Sequence, residues 1–187
     1  MPERGVPEGR ASRPGHADYS GTPLARKLGI GEDDEVVVIG AADGFTDRLE
    51  AQLDGEAVIH TDINDAIFFD VIVVFVTWRA ELEAELDRLR SHMAPACGLW
   101  IAFPKRASKV PTDMTDHVIR EIALPTGLVD NKVCAIDEVW TGVRLVIRRE
   151  LRLARGHSRR REKRGLLAAR PGPKPGQPSA STGGTVP

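Results

Sequence analysis

The amino-acid sequence predicts an α/β fold: a mixed, mainly parallel sheet with helices on both faces and a C-terminal antiparallel hairpin. Three observations carry this expectation. The apolar runs "EVVVIGA" (35–41) and "FDVIVVFVT" (69–77) show no polar alternation, as in strands covered on both faces. Amphipathic segments at helical spacing separate the early strands, so the strand connections are crossovers. The last two strand-like segments follow each other without a helix, so they pair as a hairpin.

The elements follow in order. Residues 1–17 are rich in Pro, Gly and charge and carry no apolar period, so they are expected to be disordered. "SGTPLARKLGI" offers Ser20 or Thr22 as a cap, Pro23 in the first turn, Leu24 and Leu28 four apart, and Gly29 as the stop. After the strand at 35–41, "GFTDRLEAQLDG" places Phe45, Leu49 and Leu53 on one helix face, with Gly55 closing it. "AVIHTD" (57–62) is a second, short strand. Six apolar residues from Val71 to Val76 make the next strand the central one.

"WRAELEAELDRLRSHMAP" is the clearest helix, with Leu82, Leu86, Leu89 and Met93 in one stripe and Pro95 as its stop. "GLWIAFP" (98–104) is a further buried strand. "TDMTDHVIREIALPTG" is a helix capped by Thr115 or Asp113, with Val118, Ile119 and Ile122 inward and a stop at Pro125 and Gly127. "KVCAIDEVWTGVRLVIRRE" reads as two strands around a turn at Thr141 and Gly142. The chain therefore divides into 1–17, an α/β domain at 18–150, and a basic, Pro/Gly-rich, largely disordered tail at 151–187.

Composition bounds the function. With 187 residues, 41% of them apolar, the chain can bury one substantial core. No apolar run approaches the ~20 residues that cross a bilayer. The N-terminus lacks the apolar stretch of a secretory signal, so a cytoplasmic location is expected. Cys97 and Cys134 have no C-x-x-C partner and read as small buried hydrophobes. The net charge of −1 conceals an asymmetry. Nine of the 26 bases but one of the 27 acids lie from Leu151 onward, leaving residues 1–150 acidic. Any nucleic-acid contact is thus expected from the basic tail, at 155–164, and not from the acidic body.

In an open α/β sheet, ligands bind beyond the carboxyl ends of the strands where strand order reverses. Three loops converge there: "GAADGF" (40–45), "TWRAE" (77–81) and "PKRASKVPTD" (104–113). Gly40, Asp43 and Gly44 form a glycine loop ahead of a helix, suited to an anion or nucleotide, although one glycine short of G-x-G-x-x-G. Asp62 ends the second strand, where a ribose-binding acid stands in dinucleotide and adenosyl sites. Lys105, Arg106 and Lys109 crowd the exit of the fourth strand as a possible grip on phosphate or carboxylate, with Thr77 and Asp113 facing the same rim. Such a grip requires Lys105 and Lys109 both to face the crevice. The histidines are too scattered for a metal set, and no Ser-His-Asp, Cys-His or H-E-x-x-H arrangement occurs, so neither a metal nor a catalytic set is expected.

"SGTPLARKLGI", "FDVIVVFVTWRAELE", "GLWIAFPKRASKVPTD" and "GLVDNKVCAIDEVWTGVRLVIRRE" resemble the bacterial domain-of-unknown-function 3052 family. That resemblance runs from about Asp18 to Glu150 and includes its Pro-Lys-Lys/Arg-Ala/Ser-Ser element at Pro104–Ser108 and its Asp-x-x-Trp-Ser/Thr element at Asp137, Trp140 and Thr141. The element order is also similar to the class I methyltransferase fold, which implies a Rossmann-like sheet. The likeness departs between Asp62 and Asp70, where seven residues stand in place of a helix, a strand and a helix. The resemblance then implies a reduced, more open pocket. The expected function is a non-catalytic domain binding a small anionic ligand or a protein partner. The alternatives are a reduced S-adenosylmethionine- or nucleotide-dependent enzyme and a nucleic-acid-associated regulator acting through the tail.

Overall fold

A computed structural model describes residues 21–53, 55–63 and 67–152; the expectations for 1–17 and for the tail beyond 152 lie outside these described residues. The chain falls into two units, Met1–Arg148 and Arg149–Pro187. In the second unit the described residues form one short helix, α5 (Arg149–Arg152).

The first unit has α1 (Leu24–Leu28), β1 (Glu35–Ile39), α2 (Phe45–Glu50), β2 (Val58–His60), β3 (Phe69–Phe75) and α3 (Arg79–Ser91). It continues with β4 (Met93–Pro104), α4 (Asp116–Ala123), β5 (Leu128–Ala135) and β6 (Trp140–Ile147). Among the described residues the six strands make one sheet in the order β2-β1-β3-β4-β6-β5. β1 to β4 run parallel, while β6 is antiparallel to both β4 and β5. The mixed, mainly parallel α/β architecture is the one the sequence predicts.

Strand residues alternate between two cores because successive side chains point to opposite faces. Val37, Ile72, Val74, Leu99, Ile101, Val143 and Leu145 pack beneath Leu82, Leu86 and Leu89 of α3 and Ile119 of α4. On the other face Val36, Val38, Val71, Val73, Phe75 and Trp100 pack against Ala25 and Leu28 of α1 and Phe45 and Leu49 of α2. Trp100 is fully buried, and its indole Nε1–H donates to the Leu28 carbonyl at 2.9 Å. That bond satisfies the ring's polar edge and ties the end of α1 to the middle of β4.

Three expected boundaries are corrected. α3 ends at Ser91, and Met93 opens β4 instead of closing the helix. Between the pairs Phe69–Met93 and Val71–Gly98, β3 advances two residues and β4 five, so the segment around Pro95 bulges. A bulge releases Pro95 from donating to the ladder, so the proline sits inside β4 and is not the residue that ends α3. The hairpin turn spans 136–139, and Thr141 and Gly142 lie inside β6. Asp137 builds that turn, its Oδ1 accepting from the N–H groups of Val139 (2.8 Å) and Trp140 (2.7 Å). Gly142 is a close-packing position: a Cβ there would stand 3.2 Å from the Trp100 ring. The helix at 45–55 is also shorter than its apolar spacing suggests, ending at Glu50.

Candidate functional site

The chain passes from β1 outward to β2 and then back across β1 to β3, so strand order reverses between β1 and β3. A crevice of about 520 Å³ opens at the carboxyl ends of these two strands, where such sheets bind ligands. Ile39, Gly40, Phe75 and Thr77 form its strand side, Glu81, Glu85 and Arg88 reach it from α3, and Trp140 closes it from β6.

Local chemistry places each wall. Gly40 has φ 70°, and a Cβ there would come within 3.0 Å of the Phe75 carbonyl, so β1 leaves the sheet on a glycine that keeps the crevice mouth open. Glu81, three residues after the first residue outside α3, folds back to accept from the N–H groups of Thr77 (2.7 Å) and Trp78 (3.0 Å). This is the returning half of a capping box and holds the carboxylate at the crevice edge. Glu85 pairs with Arg88 at 3.6 Å. The Trp140 ring meets Phe75 edge-on, with centroids 5.1 Å apart.

A second cavity, of about 740 Å³, lies at the exit of β4 and is lined by Phe103, Pro104, Lys105, Arg106, Met114 and Thr141 together with the start of α4. The hydroxyl of Thr112, another lining residue, donates to the Thr77 carbonyl at 2.6 Å, so this bond joins the two rims.

The residues singled out from sequence separate accordingly. Gly40 and Thr77 line the crevice, whereas Asp43, Gly44 and Asp62 do not. Gly44 is the left-handed residue preceding α2, and with six residues that helix has little dipole to offer an anion. Asp62 is exposed, two residues past the end of β2. Lys105, Arg106 and Asp113 line the second cavity. Lys109 does not; it sits exposed in a left-handed conformation at φ 59° after a 3-10 turn. The cap of α4 falls on Thr115, which accepts from Val118 N–H at 3.1 Å. Asp113 instead accepts from Arg79 N–H at 2.7 Å and braces the start of α3.

Glu85 has no place in the sequence-predicted site, Glu81 enters it only as the last residue of the loop 77–81, and Trp140 only as a motif residue and not as a crevice wall. Glu81 had a signal, its place in the first turn of the strongest helix; Glu85 and Trp140 reach the crevice only through tertiary folding. Among the described residues no group of His, Cys, Asp and Glu could hold a metal. His60 pairs with Glu35 at 2.8 Å across β1 and β2, and His117 with Glu121 at 3.4 Å. Burial raises the pKa of Cys97, with the Asp70 charge adding to it, and burial likewise raises that of Cys134. Both are free thiols. Among the described residues no helix is long and apolar enough to cross a membrane.

Solved structures share this architecture. An O-methyltransferase of neocarzinostatin biosynthesis, in complex with S-adenosylmethionine and 2-hydroxy-5-methyl naphthoic acid, is 14% identical over 70% of this chain with a TM-score of 0.50. This chain covers 53% of that one, about half its length. A SAM-dependent methyltransferase from Aquifex aeolicus is 14% identical, covering 66% of this chain and 88% of its own, with a TM-score of 0.49. A ribosomal protein L11 methylase from Lactobacillus delbrueckii subsp. bulgaricus is 13% identical, with coverage of 66% and 76% and a TM-score of 0.47. The fold is methyltransferase-like. At these identities the likeness concerns the fold alone. No family profile and no curated protein matches the chain.

Proposed function

We propose that this domain binds S-adenosylmethionine in the crevice between β1 and β3, as a reduced form of the methyltransferase-like fold. The observation that carries the reading is the coincidence of the topological switch point with a crevice walled by Gly40, Thr77, Glu81, Glu85 and Trp140. Gly40 supplies the fit, since it leaves open the space that a Cβ would fill against the Phe75 carbonyl. The charges discriminate between ligands. Two carboxylates and one guanidinium line the crevice, and Arg88 is already paired with Glu85. A polyphosphate would meet net repulsion there, whereas a sulfonium or ammonium group meets carboxylates and an indole face.

Within this reading, Gly40 and Thr77 lie along the ligand, Trp140 covers it, and Glu81 and Glu85 face its cationic part. Asp43 and Asp62, which lie outside the crevice lining, take no part in this reading. The bound group would supply an electrophilic methyl on sulfur. The chain's own residues orient it and limit water on the Trp140 side. Kinship with the domain-of-unknown-function 3052 family belongs to the same proposal. Its two motif elements meet between the crevice and the cavity at the exit of β4, where Pro104 pairs with Trp140 and Lys105 N–H donates to the Val139 carbonyl at 2.8 Å.

Binding without methyl transfer is the second reading. It is favoured by the seven residues between Asp62 and Asp70, where a methyltransferase has a helix, a strand and a helix beside the adenosyl group. Calorimetry on the full chain tests the ligand first. S-adenosylmethionine should bind at roughly 10–100 μM, about −7 to −5.5 kcal/mol, and ATP should not compete. Glu85→Arg, a change on the α3 surface, should weaken S-adenosylmethionine at least tenfold. Equal affinity for ATP, or no heat with S-adenosylmethionine at millimolar concentration, overturns the proposal.

A further inference from the structure

The cavity of about 740 Å³ at the exit of β4 is chemically unlike the crevice. Its inner wall is apolar, made by the buried side chains of Phe103 and Met114 together with Pro104. Its hydroxyls are engaged within the fold. Thr112 donates to the Thr77 carbonyl and accepts from Met114 N–H, Thr115 caps α4, and Thr141 donates to the Cys134 carbonyl. Its acids are engaged as well: Asp113 holds Arg79 N–H and Asp116 pairs with Arg120 at 2.8 Å. The bases differ. Arg106 is exposed and has no acidic partner among the described residues. The Lys105 ammonium donates to the main-chain carbonyl of Asp137 at the rim.

We propose that this cavity binds a small organic acid whose apolar body, aromatic or branched, carries one carboxylate. With the hydroxyls used internally, the wall has little to offer a sugar or another polyol. With an apolar floor, a bare phosphate would leave most of the cavity surface without a partner. A hydrophobic body against Phe103, Pro104 and Met114 uses that floor, and the planar fork of Arg106 meets a carboxylate with two parallel hydrogen bonds. The site stands independently of the ligand in the crevice.

The experiment titrates the full chain with 3-phenylpropionate, its uncharged amide and inorganic phosphate, followed by calorimetry and by the thermal midpoint. 3-Phenylpropionate is expected to bind and to raise the midpoint, with the amide and phosphate each at least tenfold weaker. Arg106→Gln, at an exposed position, should leave the midpoint of the free protein within about a degree and weaken 3-phenylpropionate at least tenfold. Binding of the amide as tight as the acid would remove the charge from the argument. Phosphate binding as tight as the acid would remove the apolar body. Unchanged affinity in Arg106→Gln would remove the site. Any of these three results overturns the inference, and none depends on whether S-adenosylmethionine binds the crevice.

Discussion

The side-chain ammonium of Lys105 donates to the main-chain carbonyl of Asp137, 32 positions further along the chain. Around this contact, Lys105 N–H donates to the Val139 carbonyl, and Asp137 Oδ1 gathers the N–H groups of Val139 and Trp140. The exit of β4 is thereby clamped to the β5–β6 turn. The clamp also fixes Trp140 against Phe75 at the crevice wall.

Replacing Lys105 should therefore be felt in folding, unlike a solvated surface lysine. A charged donor to a half-buried carbonyl contributes about 1–2 kcal/mol. Lys105→Met is expected to lower the thermal midpoint by a few degrees. It should also weaken the crevice ligand, because Trp140 loses its anchor. A midpoint equal to that of the wild type would mean that the clamp contributes nothing.

Gly40 gives a test located in the crevice wall. Its left-handed φ of 70° costs a side chain about 1 kcal/mol, and the 3.0 Å approach to the Phe75 carbonyl adds to that. Gly40→Ala should destabilise by about 2 kcal/mol in urea unfolding, with the denaturant slope unchanged. A loss under 0.5 kcal/mol would show that β1 can leave the sheet by another route.

The part of this architecture that could be read from sequence is the part written in burial. Val71 to Val76 form an unbroken apolar run because β3 is covered on both faces, and the stripe Leu82, Leu86, Leu89 reports one helix face. Met93 misled because it continues that stripe at the right spacing, and Pro95 resembles a helix stop when the chain in fact bulges there. Gly142 resembled a turn because a glycine kept for contact with Trp100 looks the same in sequence as one kept for backbone freedom. The crevice was legible as a location, since it follows from strand order. Its lining was not, because Glu85 and Trp140 come from α3 and β6 and meet only once the sheet has formed.

Cys97 supplies a pH prediction. Burial, and secondarily the Asp70 charge, hold its folded pKa above the ordinary thiol value of 9.0. A raised pKa means that the folded state keeps the proton while the unfolded chain releases it. The associated stability is full below about pH 9 and declines as pH rises beyond it, by up to about 1.4 kcal/mol per unit. Between pH 8 and pH 10, Cys97→Ala should gain about 1 kcal/mol relative to the wild type, read from urea midpoints. In the native protein at pH 8, a thiol reagent should reach the half-buried Cys134 slowly and Cys97 only after denaturation. Parallel pH profiles for variant and wild type would contradict the assignment.

Gly98 and Arg144 make a coupled pair on the sheet face opposite α3. A Cβ on Gly98 would stand 2.4 Å from Arg144 Nε and 2.8 Å from its Nη2, so the arginine lies across the glycine. Arg144 Nε is buried without a hydrogen-bond partner, which makes its present seat one of packing and not of pairing. Gly98→Ala alone must displace the guanidinium and should cost about 1 kcal/mol. In an Arg144→Ala background the space is free, and alanine then gains over glycine by restricting the unfolded chain, worth about 0.5 kcal/mol. The same substitution should thus change sign between the two backgrounds, giving a coupling energy of about 1.5 kcal/mol in a double-mutant cycle. Additive effects would show that the guanidinium moves aside at no cost and that Gly98 is kept for another reason.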